Sequence, residues 1–264
     1  LKALWSSGQP ILNGWCSIGN SFTAEIMASQ GYDSVTVDIQ HGALDYSDVL
    51  PMFQAMQSSG ATLMARVPWR DPGYIMKALD VGAMGIICPM INNSEEAAEF
   101  ISYMRYPPLG QRSFGPTRVA VSIPDYGIEA NNEVLAFAMI ETADGVQNLE
   151  DIAATVGLDG IYVGPADLTL GTQLGRLAPG LDRTEDEMIT LIQKVAGVCK
   201  EYGLIAGIHC GTAEYASKAI GWGYNLTTIG GDTRLLASAA AASVSSWRKL
   251  TGRKEKVQVT GGVY

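Results

Sequence analysis

The two histidines of this 264-residue sequence, His41 and His209, both stand where an apolar, strand-like run ends. Other such ends carry Asp38, Gln40, Arg66, Glu141 and Asp167. A carboxylate at the close of an apolar run is costly to desolvate unless a cation meets it. For Glu141 and Asp167 that cation could be Arg66, and Asp167 could instead cap a helix. Taken together, at adjacent strand ends and without a nearby lysine, the two acids favour a hard divalent ion. Carboxylates with water completing the shell suit Mg²⁺ or Mn²⁺, with Co²⁺ as a substitute. Zinc ordinarily asks for more His or Cys than these positions supply.

His41 has a side chain that titrates near neutrality and could move protons, or it could be a satisfied core residue. Asp38 is the first candidate to orient it. Asp80 is the second, with a helix-end salt bridge as its other use. Arg66 could stabilise a developing negative charge, or could simply pair with Glu141. His209, at the end of its own strand, could offer one donor and one acceptor to a polar substrate, or could be packed on a rim. None of Lys2, Lys77, Lys194, Lys200, Lys218, Lys249, Lys254 and Lys256 falls in an expected strand. Imine chemistry needs an inward lysine there, so a metal ion remains as the electron sink for a carbanion.

The elements that must position these residues alternate from end to end. Strands are expected at Ile11–Cys16, Ser34–Asp38, Thr62–Val67, Gly85–Cys88, Leu135–Glu141, Gly160–Val163, Ile205–His209 and Asn225–Ile229. Helical periodicity falls between them, as at Ser21–Gln30, Ser47–Ser58, Pro72–Val81, Ser94–Arg105, Asp144–Val156, Thr184–Tyr202, Thr212–Ile220 and Asp232–Leu250. The strands are apolar nearly throughout, as parallel strands covered by helices must be. Eight unbroken alternations indicate an α/β fold closed into a (β/α)8 barrel. A doubly wound sheet would carry a glycine fingerprint after its first strand, and none is present.

One domain over residues 1–251 is the simplest division, with a tail at 252–264 expected to be poorly ordered unless a partner holds it. Pro107–Val134 is a long Gly- and Pro-rich connection, of the kind that is functional or interfacial. Its Arg112 could reach a substrate in a neighbouring subunit, or could be a solvated loop residue. Gly230-Gly231 before Asp232 reads as a turn and cap rather than a phosphate site. A formal net charge of −9 excludes the basic footprint of a nucleic-acid binder. No apolar run reaches a membrane span, no signal peptide is expected, and Cys16, Cys88, Cys199 and Cys210 form no C-x-x-C pair. Reduced thiols in the cytosol follow.

Across roughly Gly14 to Leu250 the sequence resembles the HpcH/HpaI family of class II pyruvate aldolases. The resemblance rests on Val37-Asp38-Ile39-Gln40-His41, Ala65-Arg66-Val67-Pro68 and Ala78-Leu79-Asp80-Val81-Gly82-Ala83. It rests equally on Arg105-Tyr106-Pro107-Pro108-Leu109-Gly110-Gln111-Arg112, Ile140-Glu141-Thr142 and Val163-Gly164-Pro165-Ala166-Asp167-Leu168. It implies a barrel of the phosphoenolpyruvate/pyruvate type in hexamers, with the last helix exchanged between neighbours. It implies Glu141 and Asp167 as metal ligands, Arg66 facing an enolate oxygen, and His41 managing protons beside an Asp. Amides around Gly164, Pro165, Ala166 and Asp167 would receive a 2-oxo acid's carboxylate, with an aldehyde as the other small-molecule partner. Two departures stand out. Gln40 replaces the Glu common before the histidine, and Met139 sits where a polar residue is usual. Both bear on the acceptor aldehyde. A citrate-lyase-like enzyme acting on acyl-CoA and a non-catalytic metal-binding barrel are the other readings.

Overall fold

The structure, a computed structural model, describes residues 1–254. The expected tail therefore falls almost wholly outside the described residues. Strands β1 (Ile11–Cys16), β2 (Ser34–Asp38), β3 (Thr62–Arg66), β4 (Gly85–Cys88), β5 (Leu135–Ile140), β6 (Gly160–Val163), β7 (Ile205–Cys210) and β8 (Leu226–Ile229) all run parallel. Each pairs with its sequence neighbour, and β1 pairs with β8 to close the barrel.

Closure divides every strand into an inward and an outward set. Outward residues such as Val35, Val37, Ile86 and Ile161 join the helices in one large apolar cluster. Inward residues form a second cluster: Ile11, Trp15, Met64, Ile87, Leu135, Phe137, Met139, Tyr162, Ile205 and Leu226. The interior has room for large rings because their strand neighbours are small. A Cβ added to Gly160 would lie 2.6 Å from the Phe137 ring, and one added to Gly207 would lie 2.7 Å from the Tyr162 ring. Fully burying a side chain such as Phe137 contributes about 3 kcal/mol. Substitutions that enlarge those glycines would forfeit that packing.

Three elements depart from the sequence reading. The helical stretch expected at Asp144–Val156 is two short helices, Ala143–Gln147 and Leu149–Ala153. Asn148 between them turns its side chain to donate to the Asn92 carbonyl at 2.8 Å, an alternative partner of the sort that interrupts helices. The segment after β6 is a helix, Pro165–Gln173, with proline at its first position, where a missing N–H costs nothing. A short amino-terminal helix, Lys2–Ser6, sets Leu4 and Trp5 against the barrel interior and plugs the amino-terminal mouth.

The long connection Pro107–Val134 contains two small helices, Val119–Ser122 and Tyr126–Glu133. It links a helix to the following strand, so it lies at the amino-terminal end, away from the strand carboxyl ends. The four cysteines are buried and unpaired. Among the described residues no helix is long and apolar enough to cross a membrane.

Candidate functional site

At the carboxyl ends of the strands lies a cavity of about 270 Å³ lined in part by Trp15, Asp38, His41, Arg66, Asp167 and His209. Successive strands around the barrel deliver these side chains, so residues far apart in sequence share one enclosure. The volume lies just below the range of about 300–1,000 Å³ common for ligand pockets.

Asp38 is the hub of one side. It is 2 % exposed, and both its carboxylate oxygens face Arg66. Arg66 Nε donates to Oδ1 at 2.8 Å and Nη2 donates to Oδ2 at 2.6 Å. The indole N–H of Trp15 donates to Oδ2 at 3.3 Å, and the Arg66 guanidinium lies over the same indole, 4.8 Å from its centroid. Burial alone would raise the Asp38 pKa, but the hydrogen bonds and charge of Arg66 overrule it and hold the group below the ordinary carboxylate value. Burial likewise works against the Arg66 charge, and Asp38 reverses that too. Asp38 meets His41 at the backbone, accepting its N–H at 3.3 Å and that of Gln40 at 3.2 Å. The carboxylate thus shapes the turn that carries His41 to the cavity. The ion pair of Arg66 is with Asp38, rather than with Glu141 or Asp167.

Glu141 and Asp167 form the other side. Glu141 follows β5, is 3 % exposed, and accepts the Met90 N–H through Oε1 at 2.8 Å. Its Oε2 lies against Gly164, where an added Cβ would be 3.0 Å away. Burial, then the negative charge of Asp167, push the Glu141 pKa up to about 7 against the lowering effects of the Met90 N–H and Arg66. Asp167 sits in the first turn of the helix Pro165–Gln173, whose cap is Gly164. It is therefore no N-cap. Glu141 is thus an acid raised chiefly by burial, and together with Asp167 it makes an all-oxygen donor set of the kind that fits a hard divalent cation. No group of three or more His, Cys, Asp or Glu side chains gathers in ligand-like fashion among the described residues. The first-turn amides of the Pro165–Gln173 helix have no partner within it, and Ala166 and Asp167 of that turn line the cavity.

His209 closes the pocket on β7. Its ring stands edge-on to Trp15, with centroids 4.8 Å apart, and its Nδ1 is 3.3 Å from the Tyr162 hydroxyl. Burial first, and then the positive Arg66, lower its pKa to about 3, so the ring is neutral at pH 7. Gly231 caps the last helix, and Asp232 at its start accepts the N–H groups of Ser17 and Ile18 at 2.9 and 3.0 Å. The Gly230-Gly231 pair therefore works as a turn that ties this helix to the end of β1.

The structure does not bring every candidate to the cavity. Gln40, Glu141 and Pro165 lie beside it without lining it, while Gly164, Ala166 and Met139 line it. Asp80 and Arg112 stand at the amino-terminal end of the barrel, bound to each other: Nη2 donates to Oδ1 at 2.7 Å. Arg112 also donates to the Tyr126 hydroxyl at 2.9 Å, and its guanidinium lies over Tyr106 and Tyr126. Within one chain neither residue approaches His41's cavity, and Arg112 is buried rather than a solvated loop residue. Its side chain is 0 % exposed, so Asp80→Ala should destabilise the protein by about 3 kcal/mol, the cost of a buried unpaired charge. Urea denaturation would register this, and Asp80→Ala/Arg112→Met should recover part of the loss. Equal stability of Asp80→Ala and the parent would show that the pair is inconsequential.

Sequence reasoning passed over Trp15, Tyr162 and Thr233, which also line the cavity. Strand parity could have found the first two. Trp15 and Tyr162 are the last inward-facing residues of their strands, one before the outward Cys16 and Val163, but aromatic residues in apolar runs look like ordinary core.

Comparison with known proteins places the chain in a family. The profile of the HpcH/HpaI aldolase/citrate lyase family matches residues 14–239. A hydroxypyruvate/pyruvate aldolase of Rhizorhabdus wittichii is 36% identical over 251 residues, covering 95% of this chain and 99% of its own. A 4-hydroxy-2-oxo-heptane-1,7-dioate aldolase of Escherichia coli is 32% identical over 245 residues, covering 91% of this chain and 92% of its own. Among solved structures, an HpcH/HpaI aldolase/citrate lyase family protein from Burkholderia cenocepacia superposes with a TM-score of 0.83 at 31% identity, covering 91% of this chain and 95% of that one. The strand-end cavity and the match over most of the chain lead to one conclusion: the protein belongs to the HpcH/HpaI aldolase/citrate lyase family.

Proposed function

We propose that the chain reversibly joins pyruvate or hydroxypyruvate to an aldehyde, and cleaves 4-hydroxy-2-oxo acids, as a metal-dependent carbon–carbon lyase. The observation that carries this reading is the meeting, in one small cavity, of a fixed cation and a histidine with an under-neutralised pair of acids beside them. Glu141 and Asp167 would hold the divalent ion, Mg²⁺, Mn²⁺ or Co²⁺. When bound, that ion supplies Lewis-acid polarisation of the 2-oxo acid. The amides at the start of the Pro165–Gln173 helix receive the carboxylate of the 2-oxo acid. Arg66, held by Asp38 and Trp15, faces the keto oxygen and stabilises the charge that develops there as the enolate forms. His41 takes the proton from the methyl group in the synthetic direction, or from the 4-hydroxyl in cleavage. Met139 makes the wall beside Glu141 apolar.

The relatives named as hydroxypyruvate/pyruvate and 4-hydroxy-2-oxo-heptane-1,7-dioate aldolases favour this reading over the citrate-lyase-like alternative. The helix Asp232–Leu250 exposes Leu235, Leu236, Val244, Trp247 and Leu250, and this supports its exchange between subunits of a hexamer. Buried, unpaired cysteines suit a cytosolic enzyme.

Chelation by EDTA should abolish hydrogen exchange into the methyl group of pyruvate, and Mg²⁺, Mn²⁺ or Co²⁺ should restore it. Borohydride with pyruvate should leave the protein mass unaltered, because no imine forms. Undiminished exchange by metal-stripped protein would end the metal assignment.

A further inference from the structure

A chain of buried hydrogen bonds crosses the barrel interior beneath the cavity and ends on His209. Ser34 Oγ and Thr36 Oγ1 both donate to Asn13 Oδ1, at 2.8 and 3.1 Å. These two bonds use both acceptor sites of the amide oxygen and turn Nδ2 towards β8. Nδ2 donates to Thr228 Oγ1 at 2.9 Å. Thr228 Oγ1 is 2.6 Å from the Tyr162 hydroxyl, which is 3.3 Å from His209 Nδ1. Asn13, Ser34, Thr36, Tyr162 and Thr228 are all fully buried, so each proton on this chain needs an acceptor within it.

That requirement sets the direction. Asn13 Nδ2 can only donate, so Thr228 accepts there and its own proton must go to Tyr162. The Tyr162 proton then goes to His209 Nδ1. The reverse order would leave the Thr228 hydroxyl proton without an acceptor among the described residues, at a cost of about 1–3 kcal/mol. With Nδ1 accepting, the proton of the neutral imidazole is on Nε2. The Nδ1 atom is thus committed to Tyr162, while the ring itself lines the cavity.

We propose that this relay fixes His209 as its Nε2–H tautomer, and that this N–H recognises a hydroxyl oxygen carried on, or one carbon away from, a carbon of the bond being made. The assignment rests on the aldolase reading above. Two substrates can supply such a hydroxyl: C3 of hydroxypyruvate, or the α-carbon of a hydroxyaldehyde. His209 is a specificity residue, and Tyr162 and Thr228 position it.

Two measurements test this. In ¹⁵N-labelled protein, His209 should show the pattern of an Nε2–H tautomer, which a chain with two histidines allows to be assigned from one variant. An Nδ1–H pattern would overturn the relay. Second, kcat/KM is compared for two pairs that differ by one hydroxyl: propanal and 2-hydroxypropanal with pyruvate, and pyruvate and hydroxypyruvate with propanal. His209→Phe should lower the hydroxylated-to-deoxy ratio of one pair about tenfold, and the pair affected identifies the source of the hydroxyl. His209→Gln, which keeps an N–H, should lose less. Tyr162→Phe removes a single hydroxyl and should lower the same ratio about threefold, mainly through KM; it serves as the reading if His209→Phe prevents folding. Ratios that stay within about twofold in these variants would overturn the assignment while leaving the aldolase intact. Absence of pyruvate hydrogen exchange in the unaltered, metal-loaded protein would overturn the aldolase reading itself, and this assignment with it.

Discussion

Arg66→Ala should lower kcat/KM by roughly 10²- to 10³-fold while manganese still binds, the scale expected when a fixed donor to a developing oxyanion is removed. The guanidinium is held by two bonds to Asp38 and by the face of Trp15, so it need not reorganise as charge appears on the substrate. Arg66→Lys keeps the charge but cannot reproduce the forked contact with Asp38, and should still lose most of the rate. Removing the arginine also leaves Asp38 buried without its cation, which should cost about 3 kcal/mol of stability. Rates must therefore be read below the melting transition of each variant, with manganese titrated in parallel. A folded, manganese-bound Arg66→Ala protein that turns over within a few-fold of the parent would remove Arg66 from the chemistry.

Glu141→Gln should move stability and function in opposite directions. The Glu141 pKa lies near 7 in the fold, above its ordinary value of 4.5. Between those two pH values the folded state binds more protons than the unfolded state. In metal-free protein the carboxyl therefore subtracts stability progressively as pH rises from about 4.5 to about 7, and the full penalty applies above that. The difference corresponds to up to about 3 kcal/mol. Glutamine keeps an oxygen for the Met90 N–H and carries no charge. In EDTA, Glu141→Gln should melt several degrees above the parent at pH 8 and close to it near pH 4.5. The same variant should lose manganese affinity by orders of magnitude, measured by calorimetry, and catalysis with it. A Gln variant no more stable than the parent at pH 8 would mean that the acid is not strained in the metal-free fold. One that binds manganese normally would take Glu141 out of the ligand set.

Much of this was legible before any coordinates. All eight strands could be placed to within a residue or so, because a strand buried on both faces must be apolar nearly throughout and its neighbours in this fold must be helical. Their carboxyl ends then pointed to His41, Arg66, Glu141, Asp167 and His209, since polar residues just past such runs need a reason. Helix breaks were harder to see. The interruption at Asn148 depends on a carbonyl at Asn92, more than fifty positions away, which no local periodicity contains. Arg112 shows the same limit. Its neighbours in sequence suggest a surface loop, yet Asp80, Tyr106 and Tyr126 converge on it in space and bury it.

Composition, strand spacing and the identity of residues at strand ends determined the barrel, put no lysine in an expected strand, and singled out Glu141 and Asp167 as the candidate metal-holding acids. Those properties are set by which residue types an apolar strand and a metal ion tolerate, and they survive without knowing any distance. Tertiary structure decided which cation serves which acid. Arg66 and Asp38 are 28 positions apart and share one register row of β2 and β3, so Nε and Nη2 of the guanidinium are committed to Asp38 rather than to Glu141 or Asp167. It also decided that Asn13, Thr228, Tyr162 and His209 form one line of donors. That line joins four strands through side chains that look individually like core, and hydrogen bonds between strands distant in sequence exist only once the barrel has closed.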